Sequence, residues 1–108
     1  MSKARIRELN DLARTAMGVA SRVVMTPGIA AMSPDERSEI REQVELFNDF
    51  TEDNDPHEEH DFGSFMYVGQ KVFWKIDYYN RTLDAGSEDP SDPAVTQRVL
   101  TIMLANEY

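Results

Sequence analysis

Phe62-Gly63-Ser64-Phe65-Met66-Tyr67-Val68 and Lys71-Val72-Phe73-Trp74-Lys75-Ile76-Asp77-Tyr78-Tyr79 are two runs rich in aromatic and β-branched residues, separated only by Gly69-Gln70. A two-residue loop with glycine first fits a type II′ turn, so the stretch predicts a β-hairpin. That register sets Tyr67 opposite Val72, Phe65 opposite Trp74 and Ser64 opposite Lys75. Side chains alternate across a strand. Val72, Trp74, Ile76 and Tyr78 therefore join Phe65 and Tyr67 on a core face, while Phe73, Lys75, Asp77 and Tyr79 share the other face with Phe62, Ser64 and Met66.

Upstream, Ser33-Pro34-Asp35-Glu36 reads as a helix start. Ser33 can cap free N–H groups, Pro34 suits the first helical position, and Glu36 completes a capping box. Ile40, Val44 and Phe47 follow as an apolar stripe, with Asp35, Glu39, Glu42, Glu45, Asp49 and Glu52 at steps of three and four on the opposite side. Pro56 must stop this helix, which is expected to fray by about residue 51. The opening segment, Ser2 to Met17, predicts an amphipathic helix with Gly18 at its C-cap. Val19 to Thr26 predicts a strand ending at Pro27-Gly28, and Asn80 to Ser91 a loop. Asp92-Pro93 then opens a last helix to about Asn106, so apolar around its circumference that it is expected either centrally or at a homo-oligomer interface. The order α-β-α-β-β-α predicts a single small α+β domain over residues 1–108, a three-stranded, mostly antiparallel sheet packed by helices.

The chain has 108 residues, no cysteine and a formal charge of -9. The absence of cysteine excludes disulfides and thiolate metal sites. No apolar run approaches the ~20 residues that span a bilayer, and the first residues lack the apolar core of a signal peptide. A cytoplasmic protein without membrane contact is expected. The charge is uneven. Residues 1–32 set Lys3, Arg5, Arg7, Arg14 and Arg22 against Glu8 and Asp11, whereas residues 33–61 hold twelve acidic residues against Arg37 and Arg41. Such a field repels nucleic acid and attracts basic partners, so direct nucleic-acid binding is not expected.

Three constellations can carry chemistry. His57-Glu58-Glu59-His60-Asp61, beside Asp53 and Asp55, offers ligands for a first-row divalent ion. The histidines are three apart in a loop, which fits neither the metalloprotease nor the EF-hand pattern. The simpler reading is a solvated turn in which His60 or Asp61 bonds the backbone entering the strand. Lys75 and Asp77, two apart on one strand face near Tyr79, suit acid–base work in a cleft, or a plain surface ion pair. The row Asp35, Glu39, Glu42, Glu45, Asp49 and Glu52, continued by Asp53 and Asp55, is the third. Its like charges repel by roughly 0.2–0.5 kcal/mol per step, relieved in part by Arg41. Carboxylates roughly 5 Å apart along a helix approach the spacing of backbone phosphates. The row can thus mimic DNA toward a basic groove, or simply be solvated.

The blocks Asn54-Asp55-Pro56-His57-Glu58-Glu59-His60-Asp61-Phe62-Gly63, Trp74-Lys75-Ile76-Asp77-Tyr78-Tyr79, Asp89-Pro90-Ser91-Asp92-Pro93 and Arg98 to Tyr108 give the chain, from about Val23 onward, a family resemblance. It resembles the bacterial family called domain of unknown function 3768, in which Glu59-His60-Asp61-Phe62-Gly63 matches the loop motif. The resemblance implies a stand-alone domain, often carried on plasmids and other mobile elements of proteobacteria, with no assigned activity and no catalytic residue to carry over. The first helix lies outside the recognised part, and the acidic row is not in the pattern. Two functions are in view. One is a non-enzymatic inhibitor of a nucleic-acid-handling defence system, of anti-CRISPR or anti-restriction type, that needs no cofactor and covers a basic protein surface with the acidic row. The alternative is a small metal-dependent hydrolase on His57, His60 and Asp61, helped by Lys75 and Asp77.

Overall fold

In a computed structural model of the chain, which describes residues 2–108, the elements run α1 (Lys3–Thr15), β1 (Arg22–Met25), α2 (Pro27–Ala30), α3 (Pro34–Glu45), β2 (Phe62–Tyr67), β3 (Gln70–Tyr79) and β4 (Gln97–Leu104). A 3₁₀ turn, Ala105–Glu107, closes the chain. The sheet has four strands in the order β1-β4-β3-β2, antiparallel except where β1 runs parallel to β4. The α+β class holds. The three-strand count and the element order do not, and the mostly antiparallel sheet proves mixed, with two antiparallel pairings and one parallel.

The main correction is at residues 92–106, expected as a helix and found as the central strand β4. Its burial alternates, with Arg98, Leu100 and Ile102 toward the helices, but Val99 and Met103 put apolar residues on the open face as well, and this blurs the period-2 signal in the sequence. Within β4, Val99, Thr101 and Ile102 are β-branched, which suits a pleated surface. Asp92 does accept the N–H of Ala94 (2.9 Å), as a cap would, but it closes a turn. With no helix there, the expected homo-oligomer contact through a C-terminal helix has no basis.

The hairpin forms with both faces as expected, on a different turn. Tyr67 pairs with Gln70, Phe65 with Val72 and Gly63 with Trp74. The two-residue loop is Val68-Gly69, with φ of 47° and 77°, as a type I′ turn requires. The register follows from volume. A Cβ on Gly63 would stand 2.7 Å from the Phe47 ring and closer still to the Trp74 indole nitrogen. Only glycine can lie across from that indole. A shift of two residues preserves alternation, so the predicted faces survive the wrong register.

All helices lie on one side of the sheet. Ala13, Ile29, Ile40 and Val44 pack there on Val72, Trp74, Ile76, Leu100 and Ile102. The other face carries Lys75, Asp77, Val99 and Thr101, and the Phe62, Phe73 and Tyr108 rings meet there at centroid distances of 5.2–6.1 Å. α3 starts on the predicted capping box but stops at Glu45, short of the expected residue 51. Arg14 of α1 causes this end: its guanidinium donates to the carbonyls of Val44 (3.2 Å), Glu45 (2.9 Å) and Phe47 (2.8 Å). The last-turn acceptors are thus satisfied by a buried cation, and Phe47 and Phe50 turn in against Trp74. α1 likewise ends at Thr15, its C-cap being Ala16 and not Gly18, which lies in the following turn at φ 83°. Among the described residues no helix is long and apolar enough to cross a membrane.

Candidate functional site

The loop from Asn54 to Asp61 is built around a buried carboxylate. Asp55 Oδ1 accepts the N–H groups of Glu59 (3.1 Å) and His60 (3.0 Å), and Oδ2 lies 3.6 Å from His60 Nε2. The side chain that organises the turn is therefore Asp55, where His60 or Asp61 was expected, and Asp55 is too buried to belong to an outer acidic face. Glu58 and His60 both adopt left-handed backbone, φ 57° and 56°. For residues with a Cβ that costs about 1–2 kcal/mol each and must be imposed from outside.

The imposing element is α1. Arg7 donates to the Glu58 carbonyl (3.1 Å) and Asn10 to the Glu59 carbonyl (2.9 Å), while Asp11 Oδ1 lies 2.8 Å from His60 Nδ1. His60 stacks flat on Phe50, centroids 3.7 Å apart. Asn10, fully buried, also donates to the Tyr78 hydroxyl (2.8 Å), which in turn donates to Glu59 Oε1 (2.9 Å). Burial and the Glu59 hydrogen bond raise the Tyr78 pKa, against the opposing bond from Asn10. Sequence reasoning missed this network, although its signal was present: Ile6, Asn10 and Ala13 fall on one helical face, so an amide interrupts the apolar stripe.

Of the loop residues, His57 and Asp61 line a hollow of about 390 Å³ together with Asp53, Lys75, Asp77 and Tyr108, where the loop meets the open sheet face. His60 points the other way, into α1. Lys75 Nζ and Asp77 Oδ2 are 3.0 Å apart and more than a third exposed, a surface pair worth under ~1 kcal/mol. Burial, reinforced by the charges of Glu59 and Asp55, raises the Asp61 carboxyl above its ordinary 3.8, despite opposing backbone and His57 interactions. Among the described residues no three His, Asp or Glu side chains are grouped to hold a metal ion. The hollow thus gathers an acid, an imidazole and an ion pair with no hydrogen bond linking His57, Asp61 and Lys75.

The acidic row is divided by the early end of α3. Asp35, Glu39, Glu42 and Glu45 stand exposed along the helix, and Asp49, Glu52 and Asp53 are exposed in the loop after it. Glu39 accepts the Tyr67 hydroxyl, a bond that, with burial, pushes the phenol pKa up to about 12. Asp35, Glu42, Glu45, Asp49, Glu52 and Asp53 enter no ion pair among the described residues. Arg41, expected to relieve Glu45, does not pair with it, and Arg37 donates to the carbonyls of Ala30 and Met32.

Fold and site together define a small two-layer α+β domain with an uncompensated acidic side and a mixed-charge hollow shaped by one loop. Residues 25–107 match the family model described as protein of unknown function (DUF3768), and the chain belongs to that family. No curated protein and no solved structure matches it. The matched region holds the loop and the three strands β2 to β4, while α1, which holds the loop in place, lies outside it.

Proposed function

We propose that this protein acts by binding and not by catalysis, setting the carboxylates of α3 and the following loop against a basic protein surface, as an inhibitor of a nucleic-acid-handling defence complex would. The observation that carries this reading is the unpaired state of Asp35, Glu42, Glu45, Asp49, Glu52 and Asp53 among the described residues, while Arg14 and Arg37 are engaged on backbone carbonyls. A carboxylate near a helix C-terminus opposes the helix dipole, so Glu42 and Glu45 do nothing for α3 itself. Their use lies outside the fold. Glu39 and Asp55 have internal partners and drop out of the contact set.

The alternative of a metal-dependent hydrolase has less support, since His60 is held by Asp11 and Phe50 away from the hollow that His57 and Asp61 line. The test is the triple variant E42K/E45K/E52K, compared with wild type for retention of basic proteins from bacterial extract across a salt series. Wild type should retain a defined partner that salt releases, and the folded variant should retain none. Retention unchanged by both the substitutions and salt overturns the reading.

A further inference from the structure

In a chain of net charge -9, a second hollow of about 310 Å³ between α1 and the start of β4 is lined by two arginines, Arg81 and Arg98, and by no acidic residue. Arg98 is only 4% exposed. Its Nε donates to Asn10 Oδ1 (2.6 Å) and one terminal nitrogen, Nη2, to the Pro90 carbonyl (2.5 Å). The remaining nitrogen, Nη1, has no acceptor among the described residues, and it is not among the side-chain nitrogens sealed from solvent there, which are Arg14 Nε and Trp74 Nε1. Neither Arg81 nor Arg98 forms an ion pair among the described residues. A buried guanidinium without a carboxylate is costly, and the unbonded N–H donors of Arg98 Nη1 suit an oxyanion. Burial, aided by the nearby charge of Arg5, lowers the Arg98 pKa against the opposing influence of Tyr78 and Glu59. A bound anion would offset that cost.

Beside the arginines the wall carries the polar Thr96 and Gln97 on the β4 side and, on the α1 side, the apolar Leu9, Leu12, Val19 and Ala20, with Pro93. Leu12 is 51% and Val19 91% exposed, so both hold greasy surface in water that nothing in the fold asks for. We propose that this hollow binds a small amphiphilic anion, with Arg81 and Arg98 taking an oxyanion head and the α1 side taking a short apolar body. The volume sits at the lower end of the range for small-molecule sites. The chemistry fits a carboxylate or a phosphate monoester on a chain of a few carbons.

The experiment titrates the full chain with hexanoate, hexyl phosphate and, as the charge-reversed probe, hexylamine, following the methyl resonances of Leu9, Leu12 and Val19. At least one of the two anions should move those methyls in a saturable way and raise the melting temperature, and the amine should not. R81Q removes an exposed guanidinium with a single bond to the Thr96 carbonyl and should weaken binding by about tenfold or more, the loss of a charge-assisted hydrogen bond. V19E, placing a carboxylate beside the exposed wall, should weaken it as well, both variants being checked for native circular dichroism. Which anion binds better distinguishes carboxylate from phosphate. Unmoved methyls with both anions, equal binding of hexylamine, or wild-type affinity in R81Q and V19E would each overturn the assignment.

Discussion

Val68 holds φ 47° with its side chain 83% exposed, so a β-branched residue is crowded in left-handed backbone and packs on almost nothing in return. Val68→Asn should raise stability by about 1 kcal/mol in chemical melts, because Asn-Gly is the pair a type I′ turn favours. A loss on that substitution would mean that Val68 makes contacts of its own. Asp61 offers a pH test with a definite sign. Its pKa is raised on folding, so the native state holds this proton more tightly than the unfolded chain. The charged form is the disfavoured one, and Asp61 contributes stability as pH falls from above the raised value toward the ordinary 3.8. D61N should therefore melt higher than wild type at neutral pH, and the gap should close on acidification. A gap that widens in acid would contradict the burial argument. At this scale the sequence named the right residues more often than their partners. The Lys75–Asp77 pair was legible because two residues apart on a strand share a face. The Tyr67–Glu39 and Asp11–His60 contacts were not, since each joins segments whose meeting no local pattern records.

Gly63 shows how one residue can set the register of an element. Gly63→Ala drives a methyl group into the Trp74 indole and the Phe47 ring, and such overpacking should cost about 1–3 kcal/mol in equilibrium denaturation. A neutral result would show that the ring pair can retreat and that the turn alone sets the register. The hairpin faces and the start of α3 were readable because alternation and capping are properties of neighbouring residues. The end of α3 was not, because it depends on a guanidinium some thirty residues earlier. β4 was misread for a related reason. A strand with apolar residues on its open face as well as its covered one presents the continuous apolar run of a buried helix, and only β1 and β3 pairing along its edges distinguishes the two.

Over the whole molecule, the charge distribution was plain in the sequence and its spatial form was not. Glu42 and Glu45 oppose the dipole of α3 at its C-terminal end. E42K/E45K/E52K should consequently be at least as stable as wild type by thermal melting, with a gain of a few tenths to about 1 kcal/mol. A clear loss would show that these carboxylates serve the fold and would remove the main ground for assigning them to a partner. By itself the sequence determined the α+β class, the two faces of the hairpin, the capped start of α3 and the concentration of acid in mid-chain, all of which follow from residues near one another along the chain. Only the tertiary structure decided that residues 97–104 form a central strand, that the acidic row divides after Glu45, and that α1 clamps the family loop while leaving Arg98 with a free nitrogen. Each of these depends on hydrogen bonds and packing between residues tens of positions apart, and the short-range periodicities of a chain carry no record of them.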